Sequence, residues 1–296
     1  MSDTAVKAGN EGSAKAGGHS PRKGDTPRRE RSPHRGRSPR RGRSDTLAAQ
    51  MEPFDSFWEG PEDIEKGYRT FKAFYKANYL KHVTAQKCAR ILVISCGPGY
   101  FVNVLNQAGY HDVVGIDSYA DKVEHGRYHG LNCIQARAFE YLAEQDDESF
   151  DVIFGEQELN HLTKDEMIEF LLLARAKLKP GGQLICHGLN GANPIVGAET
   201  LAQNWDHQNT FTSYSLNQVL EHTGFDVQKI FGLHLYVFYK NPANYVAWGI
   251  TATFHILFRV FFQIYGKFNK IFEKKIAAVA TKPHGEDAPG NHLRSI

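Results

Sequence analysis

Ile91 to Phe101, ILVISCGPGYF, joins an apolar run to a small-residue turn and then to bulky residues spaced as on a helix. That order of strand, tight turn and helix dictates an α/β unit. Gly97 and Gly99 have no Cβ, so the turn can take backbone angles closed to other residues and a ligand can approach the main chain. The helix that follows presents its first N–H groups to whatever sits above the turn. A second apolar run, VVGID, ends at Asp117, where a carboxylate is placed to accept hydrogen bonds from ribose hydroxyls. The implied ligand contains a nucleoside. A dinucleotide fingerprint wants a third glycine where Val102 stands, with bulky Tyr100 and Phe101 intervening, so the NAD reading falls.

On these residues the chain resembles the class I SAM-dependent methyltransferases, whose first motif is a strand, a CGxG-type turn and a helix, with an acid closing the second strand. The resemblance runs from about Phe54 to Lys282 and continues through FDVIFGEQELNHL (150–162), KPGG (179–182) and FTSYSLNQVLEHTGF (211–225), in the family's order. It implies an α/β, Rossmann-like, doubly wound sheet of seven mostly parallel strands with a late antiparallel strand at KKIAAVATK. It also implies S-adenosylmethionine (SAM) as cofactor, held by Cys96, Gly97, Pro98, Gly99, Asp117, Ser118, Ala138, Phe139 and Gln157. Two places depart from the pattern. Val93 and Ser95 stand where the family carries an acid before the first motif glycine, and Arg137 stands where it often has Asp. These departures support an alternative, a non-catalytic scaffold of the same fold.

The first fifty residues differ in kind from the rest: they hold 12 Lys and Arg against 5 Asp and Glu, whereas the remainder holds 23 against 28. RSPHRGRSPRRGRSD (31–45) offers almost nothing apolar to bury, so the expectation is a disordered basic tail over residues 1–50. Such a tail either solubilises the chain or holds phosphates of anionic lipid or RNA, a grip that phosphorylation of Ser32 or Ser38 would weaken. Residues 51–284 are expected to form one methyltransferase domain with a helical insertion at 241–273, and 285–296 a flexible end. Cys88, Cys96, Cys133 and Cys186 show no metal spacing and read as reduced thiols of a cytoplasmic protein. Thr163 with Glu166, and Ser215 with Gln218, read as helix starts with capping-box spacing. Strand five is expected at QLICHGL, after a Pro180–Gly182 turn, and strand six at DVQKIFGL.

In open α/β sheets ligands sit at the carboxyl ends of the strands, which selects Glu156, Gln157 and His161 after strand four, and His187, Asn190 and His207 after strand five. Methyl transfer to a hydroxyl needs an in-line nucleophile and a base for its proton, and histidine suits that base near neutral pH. His161, His207 and Glu156 are the catalytic candidates. For His161 the competing role is bracing the next helix, for His207 bracing its loop, and His187 reads as a core histidine. Glu156, Glu158 and His161 lack the spacing of a bound cation, so no metal is expected.

The second most informative stretch is YVAWGITATFHILFRVFFQIYG (245–266), where Thr251, His255, Arg259 and Gln263 recur every fourth residue as one polar stripe among large apolar residues. A membrane span would place Arg259 in hydrocarbon at about 2.5–3.5 kcal/mol and would strand the following KKIAAVATK on the wrong side of the bilayer from its sheet. The readings left open are packing on the sheet, a lid over an apolar substrate, a homodimer interface, and a helix in an anionic membrane surface beside Lys267, Lys270, Lys274 and Lys275. The expected activity is methyl transfer to a hydroxyl of a small-molecule, sugar or lipid-linked acceptor. An RNA methyltransferase guided by the basic tail is the remaining alternative, although no Asn-Pro-Pro-Tyr-type signature is present.

Overall fold

The computed structural model describes residues 61–155, 158–202, 204–234 and 243–285. The expected tail, the residues past 285, and Glu156 and Gln157 lie outside the described residues. Helix α1 (Pro61–Asn78) precedes β1 (Arg90–Ile94), α2 (Tyr100–Gln107), β2 (Asp112–Asp117), α3 (Ala120–Tyr128), β3 (Cys133–Gln135), α4 (Ala138–Glu144) and β4 (Phe150–Gly155). Then follow α5 (Glu158–His161), α6 (Lys164–Lys177), β5 (Leu178–Leu189), α7 (Gly197–Ala202), α8 (Ser213–His222), β6 (Asp226–Gly232), α9 (Ala243–Ile264) and β7 (Lys275–Thr281).

The strands form one seven-stranded sheet in the order β3-β2-β1-β4-β5-β7-β6. Both neighbours of β7 pair with it antiparallel, so β7 alone runs against the rest, as the resemblance implies. β1 is central, and its residues after Arg90 are apolar because both of its faces are covered. Ile91 and Val93 join the core under α1 and α2, whereas Leu92 and Ile94 join the core under α4, α6 and α8. Each such side chain removed from water stabilises the fold by about 1.5–3 kcal/mol.

α6 starts as its sequence predicts: Thr163 Oγ1 accepts from Glu166 N at 3.3 Å and Glu166 Oε2 accepts from Thr163 N at 3.0 Å. The second box sits three residues upstream of the expected one. Thr212 is the N-cap of α8 and Ser215 its reciprocal partner, with Ser215 Oγ accepting from Thr212 N at 2.9 Å. β5 also begins before the expected turn, at Leu178, because Phe150 pairs with Leu178 and the register to β4 then shifts across the Pro-Gly-Gly segment before Gln183 meets Val152.

Packing of α9 on the sheet is overturned: none of its residues is buried. Part of the expected polar stripe turns toward the protein. His255 Nδ1 lies 3.9 Å from Glu273 Oε1, Arg259 donates to the Lys270 carbonyl at 3.0 Å, and Phe258 and Phe262 rest on Phe272 with ring centroids 5.7 and 5.0 Å away. The larger, apolar arc of the helix faces outward.

Candidate active site

The carboxyl edge of the sheet collects the turn after β1, the end of β2 and the segments after β4 and β5. Gly97 (φ +54) and Gly99 (φ +85) occupy the left-handed region, as does Ser95 (φ +54). The two glycines serve different ends. A Cβ on Gly97 would meet nothing within 4 Å, so the turn opens to a ligand there, whereas one on Gly99 would meet Leu131 Cδ1 at 2.8 Å and Cys133 Sγ at 3.0 Å.

Asp117 is buried, and both of its oxygens accept backbone N–H groups: Oδ2 from Gly97 at 2.8 Å and Oδ1 from Tyr119 at 2.9 Å. From the end of β2 the carboxylate fixes the open turn. The Cys96 thiol is pushed well above its ordinary value by its hydrogen bond with Cys133 and by burial, which keeps it a neutral lining group. Ser118 and Ala138 stay at the half-buried rim, and Gln135 Nε2 donates to the Ser118 carbonyl at 3.2 Å. Phe139 is buried, its ring 5.9 Å from that of Phe170.

Sequence reasoning missed two contributors. Tyr68, on α1, donates to the Pro98 carbonyl and stacks edge-on against Tyr100 at 5.0 Å, clamping the turn from above; burial pushes its hydroxyl up from the ordinary value. No motif marks α1, so spacing alone could not have found it.

The second contributor is Asp206. His161, at the end of α5, lies with Nδ1 3.0 Å from Asp206 Oδ2, and both side chains are almost fully buried. Burial raises the Asp206 carboxyl, but its hydrogen bond and charge interaction with His161 outweigh that effect and hold it below the ordinary value. Asp206 Oδ1 is buried with no hydrogen-bond partner among the described residues. The pair is held by the backbone: Asn160 O accepts from Gln208 N at 2.8 Å, and Asn160 Oδ1 accepts from Leu189 N at 2.9 Å. The only signal in the sequence is that Asp206 precedes His207.

His207 braces its loop, with Nδ1 2.7 Å from the Thr200 carbonyl, and its ring centroid lies 5.0 Å from that of His161. His161, Asp206 and His207 bring three ligand atoms within 4.8 Å of one another, a donor set able to hold a divalent cation. The other two candidates are structural. His187 is buried, hydrogen-bonded through Nδ1 to the Tyr79 hydroxyl at 2.7 Å, and Asn190 donates to the Ile271 and Glu273 carbonyls at 3.0 and 2.8 Å.

A SAM-dependent methyltransferase of Archaeoglobus fulgidus has the same fold, with a TM-score of 0.55 and 21% identity over 75% of this chain and 100% of that one. The sheet order, the open glycine turn and the acid closing β2 are those of the class I SAM-dependent methyltransferases. The family model described as a methyltransferase domain matches residues 67–230, and the chain belongs to that family. Among curated relatives, a ubiquinone biosynthesis O-methyltransferase of Roseobacter denitrificans is 32% identical over 123 residues, 38% of this chain and 48% of that protein. One of Xylella fastidiosa is 24% identical over 217 residues, 67% of this chain and 86% of that protein. The chain spans about half the length of the first two curated relatives, 48% and 46%.

Proposed function

We propose that this chain transfers a methyl group from SAM to a hydroxyl of a small-molecule or lipid-linked acceptor, with His161 as general base and Asp206 as the residue that positions it. The observation that carries the reading is the buried His161–Asp206 pair at the carboxyl edge. The open face at Gly97 and the Asp117 carboxylate beside it fit SAM, with Cys96, Pro98, Gly99, Ser118 and Ala138 completing the cradle. SAM, when bound, supplies an electrophilic methyl on a sulfonium. The names of the curated relatives support oxygen as the accepting atom.

With the Asp206 carboxylate 3.0 Å from Nδ1, the proton is assigned to Nδ1, and Nε2 would take the hydroxyl proton as the acceptor oxygen bonds to the methyl carbon and the carbon–sulfur bond breaks, leaving the demethylated thioether. Asp206 stabilises the imidazolium that results, because its carboxylate is ionised across the physiological range. His207 and Thr200 hold the loop that carries Asp206. The family's fold and the reduced cysteines support a cytoplasmic site of action, and the polar, basic composition of residues 31–45 supports a solubilising role for the first fifty residues.

Calorimetric titration with SAM and its demethylated product tests the cofactor site, with Asp117→Ala expected to abolish micromolar binding. For turnover of a phenolic acceptor, His161→Asn is expected to lower kcat by about 100-fold to 10,000-fold. Asp206→Asn is expected to move the alkaline-rising limb of the pH–rate profile, a change that simple loss of packing would not produce. Activity abolished by a chelator and restored by a divalent cation would make His161, Asp206 and His207 a metal centre and end the general-base reading. A second reading, a non-catalytic scaffold, is favoured by the commitment of both Asp117 oxygens to the turn and by the inward Phe139, and it predicts no SAM binding.

A further inference from the structure

Helix α9 is long enough and apolar enough to cross a membrane, yet none of it is buried within the protein. Its contacts use a narrow face made of Thr251, His255, Phe258 and Phe262. The opposite arc presents Val246, Ile250, Phe254, Leu257, Phe261 and Ile264, each at least 45% exposed. An ordinary surface helix has the reverse arrangement, with its apolar stripe inward. An apolar surface of this extent marks an interaction site.

Topology says which way the surface points. β6 runs parallel to β5, and β7 antiparallel to both, so the connection from Gly232 to Lys275 leaves and re-enters the sheet at its carboxyl edge. That edge carries the Gly97 turn and His161. The return segment is tied to the loop after β5: Asn193 donates to the Phe272 carbonyl at 2.6 Å and Asn190 to the Glu273 carbonyl at 2.8 Å. The same loop runs on through α7 to Asp206 and His207. The apolar helix and the candidate site therefore share one edge of one domain.

Charge decides between occupants. From Ala243 to Lys275 the only ionised side chains at neutral pH are Arg259, Lys267, Lys270, Lys274 and Lys275 against a single acid, Glu273. A second copy of this surface would bring like charges together, whereas anionic lipid complements them. Lys267 and Lys270 are exposed and flank Phe268, itself 77% exposed, in the pattern of basic residues beside an inserted aromatic. A single crossing of the bilayer is excluded because β7 pairs in the same sheet as β6.

We infer that α9 is an in-plane membrane anchor: its outer arc sinks into the acyl boundary of an anionic bilayer, Lys267 and Lys270 meet the headgroups, and the carboxyl edge of the sheet faces the membrane. Resting on the proposed methyl transfer, this assigns the acceptor to an amphipathic molecule drawn from that bilayer. The helix anchors the enzyme where the acceptor's hydroxyl emerges.

The test is flotation of the full chain with phosphatidylcholine vesicles, with and without phosphatidylglycerol. The chain is expected to float with the anionic vesicles. Phe254→Glu combined with Phe261→Glu is expected to reduce the bound fraction at least ~10-fold, since each places a charge in hydrocarbon. Lys267→Glu with Lys270→Glu is expected to remove the preference for phosphatidylglycerol. Both changes lie on an exposed surface, and calorimetric binding of SAM should be unchanged in each variant, which separates failure of the anchor from failure of the cofactor site. A double glutamate variant that still floats would overturn the inference and place the lipid contact elsewhere, the basic first fifty residues included. So would a wild-type chain that stays unbound, or one that sediments as a dimer and ignores vesicles.

Discussion

β1 and α9 are among the most apolar stretches of the chain and end in opposite environments. Ile91, Leu92 and Val93 of β1 are 0% exposed, whereas Phe261 of α9 is 55% exposed. The difference lies in what surrounds each residue along the chain. After Arg90, β1 is apolar at every position, so both faces need a cover, and the central place in the sheet provides it. α9 carries a polar stripe that meets the Lys270 carbonyl and Glu273, and its apolar arc stays outside the cores of the sheet. Hydrophobicity thus states that a surface is to leave water, and the polar minority states where.

The largest expected effect tests the buried member. Leu92→Asp places a carboxylate in a core that holds no cation for it and should abolish soluble expression of folded protein, since an unpaired buried charge costs several kcal/mol. Soluble, folded Leu92→Asp protein would mean that β1 is less enclosed than its burial indicates. Next comes the foot on which α9 stands. Phe272 is fully buried beneath Phe258 and Phe262 but belongs to neither of the sheet's two cores. Phe272→Ala should lower stability by about 3–5 kcal/mol in urea titration and speed tryptic cleavage at Lys267 and Lys270. Unchanged cleavage would show that α9 is held by something other than this ring.

The same contrast extends to two histidines whose values are both lowered. His187 is lowered well below its ordinary value by burial and then by the charge of Lys275; His255 is lowered by burial, with Glu273 raising it and Arg259 lowering it. A depressed histidine binds its proton in the unfolded state first. Its contribution is therefore complete above about pH 6.5 and is lost as pH falls toward the folded value, at up to about 1.4 kcal/mol per pH unit. Unfolding free energies measured between about pH 7 and pH 5 should fall steeply, and His187→Gln should flatten that slope far more than His255→Gln. Equal flattening would mean that α9 is as enclosed as the sheet.

Much of the fold was legible because its signals are local. The strand, the glycine turn and Asp117 sit within one βαβ unit, and Thr163 with Glu166 declares a helix start in four residues. Legibility failed where two local solutions compete or where the answer lies in another segment. Thr212 and Ser215 both carry hydroxyls, and only the backbone angles place the cap at Thr212. Pro180 to Gly182 read as a turn but lie inside β5, because pairing of Leu178 with Phe150 resumes the strand. Asp206 became part of the site through a fold contact with His161 that no spacing rule encodes. The four-residue recurrence of Thr251, His255 and Arg259 revealed a polar stripe without revealing that the stripe is the inward side.

The smallest expected effect is the sharpest test of the exposed member. Phe261→Glu changes a large aromatic to a charge, a substitution that would unfold the domain at almost any position of β1. On α9 the side chain points away from the protein, so the folded chain gives up little packing and the charge stays hydrated. The unfolding free energy from urea titration in detergent-free buffer should therefore change by less than about 0.5 kcal/mol, with the slope unchanged. A gain in solubility should accompany it, because the substitution interrupts the apolar arc between Leu257 and Ile264. A loss of several kcal/mol would show instead that Phe261 is covered in solution, by a second copy or by another part of the chain. The contrast between the two regions would then be one of partners rather than of environment.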